Sequence, residues 1–162
     1  MSSDARRLAE IERLYRARFP HFVRVAWAVT GDREQALDAV QEAFAGAIRS
    51  RRSLRRDDAL EPWVWRAVVN ASRDRRRAQP ELPEVFAEPE ASTNGRVEVS
   101  GALRLAIAEL PERQRLAVFL RYYADLDYRG IADVLGIETG TVSATLNAAH
   151  RSLRQTLQEV ER

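Results

Sequence analysis

Residues 110–157, LPERQRLAVFLRYYADLDYRGIADVLGIETGTVSATLNAAHRSLRQTL, decide the fold of the second part of the chain. Their spacing and breakers predict three consecutive helices. Pro111 suits a first helical turn, where a missing backbone N–H costs no hydrogen bond, and the Glu112 carboxylate meets the positive end of the helix dipole. The first of these helices is therefore expected to begin at Pro111 and run to about Tyr123.

The next two helices are predicted to be short and to cross over a tight turn. The Asp127 carboxylate can cap the second helix, which should stop at Gly136, and the third should begin near Thr139. Apolar residues recur on the facing sides of both helices: Ile131, Ala132, Leu135, Ile137, Val142 and Leu146. This is helix-turn-helix patterning, although a helical bundle that binds nothing fits the same spacing.

Length and composition exclude several classes of protein. A chain of 162 residues can form one ordinary domain or two small ones. It has no apolar run near the ~20 residues of a membrane span and no apolar signal-peptide core, so a cytoplasmic protein without membrane contact is predicted. It has no cysteine, and its two histidines, His21 and His150, lie far apart, so no disulfide, metal site or cofactor is expected.

The charge is unevenly distributed along the chain. All 26 basic residues are arginine, and residues 1–79 hold 17 of them against 11 acidic residues, a net charge of +6. Residues 80–99 are net −4 and residues 100–162 are neutral. Residues 49–77 alone carry an excess of +6, so a single segment accounts for the basic character of the first part.

The first part is predicted to be helical throughout, with one charged loop. Pro20 should end or restart the helix within residues 4–30, and Asp32 with Gln35 forms a capping box for a helix over 33–51. The expected inward stripe of that helix is apolar: Leu37, Val40, Phe44, Ala47 and Ile48. An outward stripe carries acid and amide groups and, by itself, could be no more than a solvated face: Asp38, Gln41, Glu42 and Ala45.

Residues 50–62 are too charged to pack and predict a loop, and Glu61-Pro62 should begin the next helix. That helix aligns four polar side chains on one outward face: Arg66, Asn70, Arg73 and Arg77. Aligned guanidiniums repel one another unless an anion lies nearby, and a phosphate backbone would relieve them. Neutralisation by Asp74 and other nearby carboxylates is the alternative.

From Ala78 the composition changes to an acidic stretch with three prolines and an Asn-Gly pair, which cannot sustain a helix. We predict an all-α protein with two small helical domains, residues 1–78 and 98–162, joined by a flexible acidic linker over 79–97. The second domain should begin with a helix from about Val97 to Glu109 and contain the helix-turn-helix.

In this order and spacing, a set of short motifs resembles the extracytoplasmic-function (ECF) sigma factors of bacterial RNA polymerase over nearly the whole chain except the linker. The residues that carry the resemblance are Val29-Thr30-Gly31-Asp32, Asp38-Ala39-Val40-Gln41-Glu42-Ala43-Phe44, Trp63 with Arg66, Asn70 and Arg73-Asp74, Leu110-Pro111-Glu112-Arg113-Gln114-Arg115, Leu120-Arg121-Tyr122, and Tyr128, Ile131-Ala132, Leu135-Gly136-Ile137 and Gly140-Thr141-Val142.

The resemblance implies roles for particular positions. The stripe Asp38, Gln41 and Glu42 matches the surface that grips the coiled-coil clamp of the polymerase's largest subunit. The residues that match the surface opening promoter DNA at the minus-ten element, with a base flipped from the non-template strand, are Leu54, Arg55, Arg66, Asn70, Arg73 and Arg77. Those that match the minus-thirty-five duplex contact are Arg121, Thr139, Thr141, Ser143, Ala144, Asn147 and His150. The implied partners are core RNA polymerase, promoter DNA and an anti-sigma factor, with no small-molecule substrate.

The chain departs from the family pattern in its recognition helix. Ser143-Ala144-Thr145-Leu146-Asn147-Ala148-Ala149 stands where Lys-Ser-Arg-Leu-His-Arg-Ala is frequent, so three basic positions are missing. Weak upstream binding is expected, with specificity from Thr141, Ser143, Asn147 and His150 and from DNA shape, although packing or solvent contact is favoured for His150 over reading a base. Glu138 replaces the usual serine cap, and Leu54 stands where an aromatic is common.

Three rival functions fit parts of the sequence. The depleted recognition helix leaves open a sigma-like regulator that binds polymerase or DNA without initiating transcription. A plain helical interaction module would bind its partner independently of salt. An enzyme is disfavoured because no metal-ligand spacing, glycine-rich phosphate loop or nucleophile motif occurs.

Overall fold

The computed structural model describes residues 2–54, 59–79 and 101–162, and every regular element in those ranges is an α-helix. The first part contains three helices: α1 (Ser3–Thr30), α2 (Arg33–Ser50) and α3 (Leu60–Ala78). The second contains four: α4 (Gly101–Glu109), α5 (Glu112–Tyr122), α6 (Tyr128–Leu135) and α7 (Thr139–Val160). The predicted all-α class is confirmed, whereas residues 80–97 of the predicted linker lie outside the described ranges.

Helices α1, α2 and α3 pack against one another in a three-helix bundle around an aromatic centre. The Phe22 and Trp65 rings lie 4.1 Å apart, centroid to centroid, and Phe22 meets Phe44 edge-on at 5.3 Å. Tyr15 also contacts Phe44 edge-on, at 5.0 Å. Aromatic pairs of this geometry add stability beyond their buried area. Trp65, which the sequence analysis did not place inward, is the largest fully buried side chain of the described residues.

One prediction for the first part is wrong: Pro20 does not divide its helix. α1 runs unbroken from Ser3 to Thr30 with Pro20 inside it. An internal proline costs about 3 kcal/mol, but burial of large apolar side chains contributes about 1.5–3 kcal/mol each. Ile11 before the proline and Phe22 and Val25 after it enter the same core, so packing keeps the two segments in line.

Helix boundaries agree with the sequence where a cap fixes them. Gln35 N donates to Asp32 Oδ1 at 2.9 Å and Gly130 N to Asp127 Oδ1 at 2.7 Å. Gly136, at φ +66°, ends α6 in the left-handed conformation. Two boundaries shift slightly, since Pro111 is the N-cap of α5 and α3 already begins at Leu60, before Glu61-Pro62.

The helix-turn-helix prediction is confirmed, because α6 packs on α7 and the apolar residues on their facing sides are buried. Ile131 and Leu135 of α6 and Val142 and Leu146 of α7 are buried, and Ile137 packs against them from the turn. Ile48, by contrast, was expected inside but is 40% exposed near the end of α2.

The two parts contact each other directly: α1 packs against α5, and α3 packs against α6. The outward face of α3, which carries arginines, therefore has a neighbour from the second part. This packing places the predicted DNA-opening face beside the helix-turn-helix.

Candidate nucleic-acid and polymerase interfaces

The outward face of α3 carries the four predicted polar residues. Val64, Trp65, Val68 and Val69 bury the opposite side of the helix, which turns Arg66 and Asn70 outward, where both are exposed. Arg73 is half-buried and Arg77 is exposed. The predicted orientation relative to the first bundle is therefore observed.

That face nevertheless has acceptors from its own chain. Arg66 Nε donates to the Asp133 carbonyl of α6 at 3.2 Å, and Arg73 Nε donates to Glu112 Oε1 of α5 at 2.9 Å. Arg77 lies 3.7 Å from the Asp74 carboxylate one turn earlier. External phosphate and nearby carboxylates were the two predicted alternatives for the groups beside these guanidiniums. In the structure, two carboxylates and one backbone carbonyl of the chain itself lie beside them.

The loop after α2 is held against the start of α1. Arg51 Nε lies 2.8 Å from Asp4 Oδ1, and Arg52 Nε lies 3.4 Å from the same oxygen. The hydrogen bond from Arg51 lowers the pKa of the Asp4 carboxyl, with a smaller contribution from Arg52. Leu54 lies on the wall of an adjoining cavity of about 630 Å³, whereas the predicted Arg55 lies outside the described residues.

That cavity is strongly cationic. Four arginines line it with two acidic residues and two other side chains: Arg6, Arg7, Arg51, Arg52, Asp4, Glu10, Ser3 and Leu54. A cavity of this size has room for a flat ring, and guanidinium groups suit an anionic strand passing over it. The sequence analysis did not identify Arg6 or Arg7 as part of this region, because no local pattern relates α1 to the loop.

The outward stripe of α2 is accessible to solvent, and Arg75 of α3 contacts its two carboxylates. Gln41 and Glu42 are exposed and Asp38 is half-buried. Arg75 of α3 reaches Glu42 Oε2 at 3.3 Å and Asp38 Oδ2 at 3.6 Å, and it donates to Gln35 Oε1 at 3.1 Å. Arg75 was not predicted, and it fixes the spacing between the two carboxylates.

Helix α7 presents a polar surface on the side away from α6. Its exposed members include Thr139, Thr141, Ala144 and Asn147, and Ser143 beside them is half-buried. Glu138, which stands where a serine cap is usual, is the N-cap and makes no side-chain capping bond. The missing cap leaves the backbone N–H groups of the first turn without a side-chain acceptor at that position.

The far end of this surface holds an aromatic pair. His150 is half-buried, and its Nε2 lies 2.9 Å from the Tyr122 hydroxyl at the end of α5. Tyr122 is 58% exposed. Arg121 beside it is also exposed and donates to the Leu126 carbonyl at 3.2 Å. Both predicted residues, Arg121 and His150, thus lie at the same edge of the second part.

Neither a metal-binding cluster nor a membrane-spanning helix occurs in residues 2–54, 59–79 and 101–162. Within them no cluster of three or more His, Asp or Glu side chains could hold a metal ion. None of the helices described there is long and apolar enough to cross a membrane.

Comparisons with known proteins define the class of this protein. Residues 14–80 match the Sigma-70 region 2 family and residues 100–153 match the Sigma-70, region 4 family. Among solved structures, the fold is similar to the sigma factor RpoE from Bartonella quintana, solved with the anti-sigma factor NepR, at a TM-score of 0.71 and 21% identity over 92% of this chain and 97% of that one. It is also similar to CnrH, solved with the cytosolic domain of CnrY, at a TM-score of 0.72 and 19% identity over 97% and 93%.

Curated relatives give the family. The ECF RNA polymerase sigma factor SigM of Mycobacterium tuberculosis is 34% identical over 90% of this chain and 76% of its own length. The ECF RNA polymerase sigma-E factor of Escherichia coli K12 is 29% identical over 77% of this chain and 75% of its own length. The chain therefore belongs to the ECF sigma factors, a family of initiation factors rather than enzymes, and it is an alternative sigma factor for transcription initiation. The resemblance seen in the sequence is confirmed.

Proposed function

We propose that the two parts of this sigma factor divide promoter recognition between them. Residues 1–78 bind core RNA polymerase and open DNA at the minus-ten element, residues 98–162 bind the minus-thirty-five duplex, and residues 79–97 link them. The matched regions, 14–80 and 100–153, lie close to these boundaries and support the division. The chain itself catalyses no covalent step and acts in the cytoplasm, where core polymerase and the chromosome are found.

The observation that carries this proposal is the two-sided character of α3. One side is apolar and fully packed, and the other presents Arg66, Asn70, Arg73 and Arg77 toward the outside of the bundle. Packing alone does not require three guanidiniums in that row, whereas separated strands need cationic groups and planar side chains along their backbone. The arginine-lined cavity beside Leu54, between α1 and the loop after α2, would receive an unstacked base.

Polymerase binding is assigned to Asp38, Gln41 and Glu42. Their exposure leaves the carboxylates and the amide available to a partner, although Arg75 neutralises part of their charge. A partner surface that carries its own arginines would have to displace Arg75 or extend its network. The contact would then add charge-assisted hydrogen bonds to a site that is already ordered.

The second part is assigned to duplex DNA through α7. Its exposed side chains near the helix start are short and polar, which suits approach to base edges in the major groove. Arg121 and the Tyr122–His150 pair lie at the edge of this surface and would meet the phosphate backbone. Since one of the similar structures is a sigma factor solved with an anti-sigma factor, we include an anti-sigma protein among the proposed partners.

Transcript start-site mapping tests the function. Purified core enzyme is combined with the chain on a genomic promoter library, and start sites that depend on the chain are expected. In the same assay Arg66→Ala with Asn70→Ala should reduce those transcripts by roughly five- to 150-fold, because each lost polar contact to the strand costs about 0.5–1.5 kcal/mol, while core binding is retained.

Arg33→Ala is the matched control, because Arg33 is an exposed arginine at the start of α2 and is not one of the four polar residues of the α3 face. A chain that binds core enzyme but yields no dependent start site would be the non-initiating regulator. Equal loss of core binding and opening in the double variant would mean that α3 contacts polymerase or is purely structural.

A further inference from the structure

One side chain of α3 reaches across to the surface of α2 that is proposed to bind polymerase, the α2 stripe of Asp38, Gln41 and Glu42. Arg75 Nη2 donates to Glu42 Oε2 at 3.3 Å, and Arg75 Nη1 lies 3.6 Å from Asp38 Oδ2. Among the described residues, no other cation contacts either carboxylate. The arrangement of both acidic side chains of the stripe therefore depends on one guanidinium.

Arg75 is itself held in place by a third acceptor. Its Nη1 donates to Gln35 Oε1 at 3.1 Å, and the backbone N–H of Gln35 donates to the Asp32 cap of α2 at 2.9 Å. The Arg75 side chain is 30% exposed. A planar guanidinium can donate to several acceptors in a fixed geometry, whereas an ammonium group is a compact point charge on a flexible stem. Arg75 is therefore an ordered bridge between α3 and α2.

The bridge relieves a repulsion within the stripe. Asp38 and Glu42 are four residues apart on α2, and like charges at this spacing destabilise a helix. Their side chains are 44% and 56% exposed, so without a partner they would move among several rotamers. Arg75 contacts one oxygen of each carboxylate, Asp38 Oδ2 and Glu42 Oε2. The second oxygen of each carboxylate is left for a donor from a partner.

We propose that Arg75 is a positioning residue for core polymerase, which holds Asp38 and Glu42 in the conformation that the polymerase binds and stays in place in the complex. The inference rests on the proposed role of the α2 stripe in polymerase binding. An ordered surface loses less side-chain freedom on binding than a mobile one. The benefit lies mainly in slower dissociation, because affinity differences between variants of one interface are mostly differences in the dissociation rate constant.

The charge of Arg75 acts in the opposite direction on association. Arg75 partly neutralises the two carboxylates, and complementary charges across an interface speed the encounter of two proteins. Without Arg75 the stripe is more negative, so a cationic polymerase surface would capture it at least as fast as it captures the parent chain. Faster dissociation without slower association is therefore the kinetic signature of positioning, and loss of folded protein would not produce it.

Surface plasmon resonance with immobilised core RNA polymerase and the full chain measures both rate constants. Arg75→Ala should dissociate roughly three- to tenfold faster than the parent, the change expected when the freedom of about one side chain must be lost on binding. Its association rate constant should not be lower. Arg75→Lys keeps the charge without the planar fork, so its dissociation rate constant should lie between those of the parent and Arg75→Ala.

Arg13→Ala is the matched control, because Arg13 is an exposed arginine of α1 that donates to the Ala9 carbonyl of its own helix. Both of its rate constants should equal those of the parent.

A double-mutant cycle tests whether Arg75 acts through the two carboxylates. In a chain that carries Asp38→Ala and Glu42→Ala, Arg75 has no carboxylate to position. Adding Arg75→Ala to that chain should leave its dissociation rate constant unchanged. An equal increase in both backgrounds would mean that Arg75 contacts polymerase directly or supports the fold in general, and the positioning role would be wrong.

Three other results for Arg75→Ala would contradict the proposal. Slower dissociation would make Arg75 a competitor that polymerase displaces, an unchanged dissociation rate constant would make the bridge irrelevant to binding, and slower association would indicate a damaged fold.

Failure of the proposed function gives a different result. If Asp38→Ala with Glu42→Ala binds core polymerase as tightly as the parent, the α2 stripe is not the polymerase surface, and the positioning role fails with it. If that variant binds weakly while Arg75→Ala behaves like the parent, only the positioning role fails.

Discussion

The α3 face and the α7 face are both proposed to bind DNA, but the protein treats them in opposite ways. The α3 face is rich in arginine, and Glu112 and Asp133 of the second part contact it. The α7 face is poor in charge, with exposed Thr141 and Asn147, and its helix packs mainly on α4, α5 and α6 of its own part. The more cationic surface is thus the one whose Arg66 and Arg73 already bond to the second part, and the surface with little charge belongs to a helix that packs on its own part.

The difference in charge between the two faces has a consequence for non-specific binding of nucleic acid. A basic face left open in the free chain would bind any nucleic acid, because phosphate attraction does not depend on sequence. A face with few charges can remain exposed with little non-specific binding. The Glu112 carboxylate beside Arg73 therefore reduces the non-specific attraction of the α3 face, whereas the α7 face has little charge to offset.

The largest expected effect concerns the hydrogen bond from Arg115 of the second part to the Ala28 carbonyl of α1. Arg115→Ala removes a buried guanidinium and leaves the Ala28 carbonyl without its donor, so the free energy of unfolding should fall by about 2–3 kcal/mol. Chemical denaturation measures this loss. Hydrogen exchange should also accelerate in α4 and at the end of α1, because Arg115 bonds to both.

Arg113→Ala is the control for that change, since Arg113 is exposed two residues earlier on the same helix. It should alter stability by no more than about 0.5 kcal/mol. Equal losses in the two variants would show that Arg115 does not join the parts.

A smaller effect would sharpen the contrast between the two faces. Asn147→Arg adds a cation to the exposed side of α7, so the slope of log affinity against log salt for duplex upstream DNA should steepen by about 0.9. Binding of a single strand should be unchanged, because α3 is untouched. Filter binding over a salt series measures both. Gln155→Arg, an exposed position further along α7, is the control, and an equal change there would contradict the placement of the DNA surface.

Much of the local structure could be predicted from sequence because it depends on neighbouring residues. Asp32, Asp127 and Gly136 fix helix ends through bonds and dihedrals within a few positions. The helix-turn-helix followed from apolar spacing. The continuity of α1 through Pro20 could not be predicted, because it depends on packing against helices distant in sequence.

In the candidate sites too, local features could be predicted from the sequence, whereas contacts between residues distant in sequence could not. The outward directions of Arg66 and Asn70 followed from the period of α3, but the acceptor that Arg66 contacts could not be predicted, because the Arg66–Asp133 contact joins residues 67 positions apart. The clamp from Arg75 to the α2 stripe and the bond from Arg115 to Ala28 are equally long-range. A row of like charges signals that some anion is near, and sequence alone does not distinguish phosphate from a carboxylate of the same chain.

Site-specific crosslinking within a promoter complex tests the central claim most directly. Asn70→Cys and Asn147→Cys each give a single thiol for a photoactivated crosslinker, as the chain has no cysteine of its own. With core polymerase on promoter DNA, the label at residue 70 should react with the non-template strand near the minus-ten element, and the label at residue 147 with the upstream duplex. A label at residue 70 that reacts only with polymerase or with the second part of the chain would contradict the assignment of α3 to separated DNA strands.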